Sequence, residues 1–329
     1  MEMNATMVPM KVEWAQAWLS WVAATTTCLR ALGVDCDQID VAGYSGYAFH
    51  LCVDAKLCPS GPTVLSWDSL CEGIRNIGRS TNMYYGGQCH CEGFITDLTR
   101  AHCHTAFELA KAEVLMERPC VIWGAYVPEF AAVTGFTGDS YIVESFRGCM
   151  GQEQPPIRFD EVNAPGGVYL FMLPDKTETP VHNADRHAIS RAVAMWNTPG
   201  FATYRYGADG YKLWAEALQA KRADGGGNAY NAACYAEGRR FANVFFGRMA
   251  KRQEFAAEKL DLASKHYGHA AEAIEHVAML FPFPGGWGQP VADDAKIDLA
   301  CKLLMEAQEA ESQAVSLLAE VIAMEWPKQ

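Results

Sequence analysis

The run from Pro119 to Ser145, PCVIWGAYVPEFAAVTGFTGDSYIVES, limits the possible folds more than any other part of the chain. Its β-branched and aromatic residues suit a pleated, half-buried surface. They fall into three segments, Cys120–Ala125, Phe130–Gly135 and Ser140–Glu144, parted by Val-Pro and Thr-Gly-Asp turns. Connections this short join only antiparallel neighbours, because a parallel crossover needs a dozen residues or more. The stretch therefore predicts an antiparallel sheet, with Glu129 at the corner that opens its second strand.

Around it, residues 12–32 predict an amphipathic helix with Trp14, Trp18, Val22, Leu29 and Leu32 on the apolar side and Gly33 as its stop. A Gly-punctuated turn, VAGYSGYAFHLCVD, leads toward a strand at 48–53, and CPSGPT is a tight loop of turn formers. A short helix over 64–76, a strand or bend at 83–87, a long helix over 95–118 and a fourth core strand at 166–173 complete the first half. After the polar PDKTETPVHNAD the pattern becomes helical, over roughly 184–196, 208–221, 228–250, 253–281 and 293–325. The reading is α+β: a domain over 1–175 with N-terminal helices and an antiparallel sheet, followed by an all-α helical domain over 176–329.

Charge narrows the partners. With 27 Lys and Arg against 39 Asp and Glu, the net charge of -12 repels phosphate backbones and anionic lipid, so neither nucleic acid nor membrane is expected. No apolar run approaches the roughly 20 residues of a membrane span, and no signal peptide is visible at the N-terminus. The twelve cysteines are irregularly spaced, and several sit in apolar segments. They read as reduced thiols in a cytoplasmic protein.

Several clusters hold chemistry-bearing residues. QCHCEGFITDLTRAHCHTAF brings Cys89, Cys91, His102, Cys103 and His104 together. C-x-C and H-C-H depart from ordinary zinc spacing, and packed thiols with surface histidines are the default. His269, Glu272 and His276 share a helix face that reads first as a solvated surface. Neither cluster leads to a metal or cofactor expectation. In GNAYNAACYAEGRRFA, Asn228, Asn231, Tyr235 and Arg239 recur at spacings of three and four, a polar stripe that asks for a partner. That partner is either a ligand in an interdomain cleft or a hydrogen-bonded seam docking the two domains, or Asn228 is simply an N-cap. The FPFPGGWGQP loop packs on a neighbouring helix or forms a contact in a homo-oligomer.

The order of elements, together with GYSGYAF, CPSGPT and PEF…TGF, resembles papain-like cysteine hydrolases. It is similar in particular to the bacteriocin-processing cysteine peptidases and to the N-terminal domain of the butirosin biosynthesis protein H family. The resemblance implies a Cys at the start of the first helix, a His before a core strand and an Asp or Asn on the next strand. Those slots hold Ser20, Glu129 and Glu144 in this sequence. A Ser–Glu pair is a weaker nucleophile and base than a thiolate–imidazolium pair. Cys28 lies eight residues further along, about 12 Å of helical rise, and cannot substitute for the missing thiol. Ser45 and Tyr47 in the matching GYSGYAF stretch join Asn228, Asn231 and Tyr235 as candidate ligand contacts. The expectation is a protein handling a small acylated or peptidic ligand. It acts either as an acyltransferase or amide hydrolase with a rewired site, or as a catalytically silent binder.

Overall fold

The computed structural model describes residues 6–7, 9–86 and 97–327. In chain order the elements are β1 (Thr6–Met7), α1 (Ser20–Ala31), α2 (Gln38–Ser45), β2 (Cys52–Val53), α3 (Trp67–Ile74), β3 (Asn82–Tyr85) and α4 (Asp97–Leu115). Next come β4 (Cys120–Trp123), β5 (Phe130–Thr137), β6 (Ser140–Glu144), α5 (Phe146–Cys149), β7 (Ile157–Arg158) and β8 (Tyr169–Met172). The helical half holds α6 (Val181–Trp196), β9 (Arg205–Tyr206), α7 (Gly207–Gln219), α8 (Gly225–Arg252), α9 (Ala257–Leu280) and α10 (Asp294–Ala323). The chain is α+β, with antiparallel sheets and a helical C-terminal region. Among the described residues no helix is long and apolar enough to cross a membrane.

Two compact units emerge, Met1–Val41 with Ile74–Thr179 and Ala42–Gly73 with Pro180–Gln329. The first is built on a sheet in the order β3-β8-β4-β5-β6-β7, with β1 added to the far end of β5. All its pairings are antiparallel, with Trp123 opposite Phe130 and Ala132 opposite Glu144. Every residue from Phe130 to Phe136 is buried, which requires cover on both faces. α1 and α4 both pack on this strand. Trp21, Phe130 and Phe171 meet edge-on beneath α1.

The helix expected over 12–32 starts only at Ser20. The residues before it are committed elsewhere: Met10 N–H bonds the Thr134 carbonyl at 2.9 Å and Ala15 N–H bonds Thr27 Oγ1 at 2.9 Å. Sheet and side-chain acceptors outcompete helical turns there. The strand expected over 48–53 is likewise a 3-10 turn, Tyr47–Phe49, followed by the two-residue β2.

The second unit packs α8, α9 and α10 together, with α7 against α10. Trp214, Tyr211, Ile274 and Leu304 lie in its core, and so do Leu51, Val53 and Leu57 from the earlier segment. By sequence that segment is expected in the 1–175 domain, whereas Ala42–Gly73 groups with the helical half. The reason is the backbone of this irregular stretch. Residues 47–53 are buried and mostly outside any sheet, so their polar groups need other partners, and α8 supplies several of them here and at Cys58. Asn231 Nδ2 donates to the Cys58 carbonyl at 3.2 Å, Tyr235 OH donates to the Cys52 carbonyl, and Arg239 donates to the His50 carbonyl. Cys52 N–H returns a bond to Tyr235 OH at 3.1 Å. Gly61 has to be glycine, because a Cβ there would run into the Cys52 carbonyl oxygen.

Candidate functional site

Ser20 is the first residue of α1, and its side chain is 6% exposed. Glu129 closes the turn between β4 and β5, where Gly124 N–H bonds the Glu129 carbonyl at 3.0 Å and Glu129 N–H bonds the Val127 carbonyl at 2.6 Å. Gly124 sits at φ +79, and a Cβ on it would collide with the Asn163 backbone, so the turn depends on glycine. This geometry aims the Glu129 side chain at the helix start. The Ser20 hydroxyl donates to Glu129 Oε2, and Phe130 N–H donates to Ser20 Oγ at 3.1 Å. Residues 109 apart in sequence thus meet at the N-terminus of a buried helix, where the aligned peptide dipoles favour negative charge.

Glu144 does not complete a triad. It ends β6, and its Oε1 accepts from Gln154 Nε2 at 2.8 Å. Gln154 Oε1 in turn accepts from Ser145 N–H at 2.8 Å and from Ser145 Oγ at 2.6 Å. This pairing strengthens the hairpin end and spends the carboxylate on a neutral amide. Gln154 itself carried no recognisable signal in the sequence.

No protein family and no curated protein matches this chain.

The five remaining candidate contacts all lie inside the second unit, buried. Ser45 Oγ bonds locally to the Ala42 carbonyl and Tyr47 N–H, and Tyr47 is 4% exposed. Asn228 Oδ1 accepts from Trp214 Nε1 at 2.8 Å, while Asn231 and Tyr235 hold the 52–58 backbone. The stripe bonds to protein groups of its own unit, and the N-cap of α8 is Asp224, not Asn228. Arg239 continues it into a fully buried pair with Glu311, its Nη2 lying 2.9 Å from Oε1, with Tyr211 OH donating to Oε2 at 2.7 Å. Burial pulls the Arg239 guanidinium down, but the Glu311 carboxylate beside it prevails and its pKa is raised. The sequence did hold a signal for Glu311, because it is a lone carboxylate on a helix face otherwise made of Leu304, Ala307, Ala314 and Leu318.

Cys89 and Cys91 lie outside the described residues. His102 Nδ1 is 3.3 Å from Tyr84 OH, Cys103 is buried, and His104 packs edge-on to Phe159. His269, Glu272 and His276 are exposed on α9. Among the described residues no three His, Cys, Asp or Glu side chains are grouped so as to hold a metal ion. An open depression beside Arg30, Asp35, Asp37 and Asp40 lies at the opposite end of α1 from Ser20. Its carboxylates have a local role, since Asp37 and Asp40 cap each other's backbone N–H at 3.0 and 3.1 Å at the start of α2.

Proposed function

We propose that this chain is a papain-like-fold protein handling a small acylated or peptidic ligand, with Ser20 as acyl acceptor and Glu129 as its base. The observation that carries the reading is the hydrogen bond from the Ser20 hydroxyl to Glu129 at the head of α1. Attack of Ser20 Oγ on an acyl carbonyl would pass the hydroxyl proton to Glu129. The tetrahedral oxyanion would form beside the positive end of the helix. Collapse breaks the bond to the leaving amine or thiol, which takes the proton back from Glu129. Water or a second nucleophile then releases the acyl group from Ser20.

A second reading, a catalytically silent binder, draws on the same residues. Ser20 is 6% exposed and is also held by Phe130 N–H, a geometry suited to clamping helix to strand. One experiment separates the two. The full chain is treated with a fluorophosphonate probe and any adduct is mapped by mass spectrometry. Labelling at Ser20 that disappears in Glu129→Gln supports acyl chemistry. An unlabelled Ser20 in a folded protein leaves the binder.

A further inference from the structure

Several arginines of this acidic chain find carboxylates, and others, Arg30 and Arg79 among them, donate to backbone carbonyls. Arg118 forks onto Glu113, Arg158 onto Asp160, Arg239 onto Glu311 and Arg252 onto Asp185, while Arg191 reaches Glu72. Arg147 is different. Its guanidinium lies 4.5 Å over the Tyr126 ring, and its buried Nε has no hydrogen-bond partner; Arg79 and Arg191 share that unpartnered Nε but donate through their terminal nitrogens. No ion pair joins it to a carboxylate among the described residues, although Glu144 is three positions away and bonds Gln154 instead. Among the described residues the guanidinium thus makes no charge-assisted hydrogen bond, and an anion meeting its terminal nitrogens would supply one.

The side chain is also held ready. Tyr126 OH donates to the Pro155 carbonyl at 2.9 Å, which fixes the ring that carries the guanidinium. Burial pushes the Tyr126 phenol up to about 12, against the opposing pull of Arg147, so the ring stays neutral and keeps its π face for the cation. The backbone is fixed as well, because the Arg147 carbonyl accepts from Met150 N–H at 3.1 Å and Gln152 N–H at 2.9 Å.

Position gives the group its meaning. Tyr126 lies in the turn that ends on Glu129, three residues away, so their Cα atoms are at most about 11 Å apart at ~3.8 Å per peptide. Arg147 follows the C-terminal end of β6, which antiparallel pairing brings to the same end of the sheet as the start of β5. We infer that the Tyr126-stacked Arg147 is an oxyanion subsite, binding a carboxylate or phosphate carried by the ligand whose acyl group meets Ser20. The ligand class is thereby narrowed to acyl or peptidic molecules bearing an anionic group. The placement beside Ser20 rests on the proposed function, whereas the anion site itself does not.

The test is a titration of the 15N-labelled full chain with inorganic phosphate and, separately, with acetate, reading the arginine Nε–Hε signals. We expect one signal to shift saturably with at least one probe. That signal should be absent from Arg147→Lys, whose affinity, followed in both proteins by the backbone amide signals around residue 147, should fall about ten-fold because a lysine keeps the charge but not the fork. Tyr126→Leu should weaken binding several-fold with Arg147 intact. The probe that binds tells carboxylate from phosphate. No saturable shift with either probe, or wild-type affinity in a folded Arg147→Lys, overturns the subsite. Binding is read without turnover, so a silent Ser20 leaves the titration intact and a failed titration leaves Ser20 labelling intact.

Discussion

Ser20 and His50 show how much one buried polar side chain can decide. Ser20→Ala leaves the Phe130 N–H without its acceptor and the Glu129 carboxylate without its hydroxyl donor. We expect a loss of about 1–3 kcal/mol, read by urea unfolding. An unchanged midpoint would mean the clamp carries no stability. His50 is buried with Nε2 donating to the Gly61 carbonyl at 3.2 Å. Burial lowers its pKa from 6.5 to about 4, opposed by that carbonyl and aided by the Arg239 charge. Above pH 6.5 neither folded nor unfolded chain protonates it, and its contribution is complete. As the pH falls from 6.5 toward 4 the unfolded chain takes up a proton that the native state refuses. Stability then drops by up to about 3 kcal/mol. His50→Gln should flatten that part of the pH–stability curve; an equally steep curve in the variant would assign the slope to other groups.

At the scale of elements, α8 is the organising feature of its unit. Asn residues are poor in helix interiors, yet Asn231, Tyr235 and Arg239 sit one turn apart, because each satisfies a backbone group of the 50–58 stretch. The stripe was legible in the sequence, but whether a ligand or the protein met it was not, since the 50–58 backbone carries no side-chain code for its need. Glu311→Gln should cost about 3–5 kcal/mol by leaving the Arg239 charge uncompensated in the core. Arg239→Met combined with Glu311→Leu should cost clearly less than the two single changes together. Denaturant titrations of the four proteins measure that coupling, and strictly additive losses would mean that the pair does not act as a unit.

For the molecule as a whole, sequence order and spatial unit part company. Leu51, Val53 and Leu57 belong to the core formed with Tyr211, Trp214 and Ile274. A chain truncated after Thr179 therefore strands residues 42–73 without the helices that bury them. Limited proteolysis with mass spectrometry should find cuts within 42–73 in the truncated chain and none there in the full one. Protection of the segment in the truncated chain would show that its burial does not depend on the helical half. The sequence by itself determined the antiparallel strands around Glu129 and the long helices after 180, because side-chain period and turn residues are local properties. The family resemblance put Ser20, Glu129 and Glu144 forward together. Only the tertiary structure decided that α1 begins at Ser20, where sheet and Thr27 acceptors claim the residues before it. It also joined Ser20 to Glu129 while giving Glu144 to Gln154, and left Arg147 without a carboxylate. Such choices depend on which buried polar group is nearest in space, and the sequence does not encode that distance.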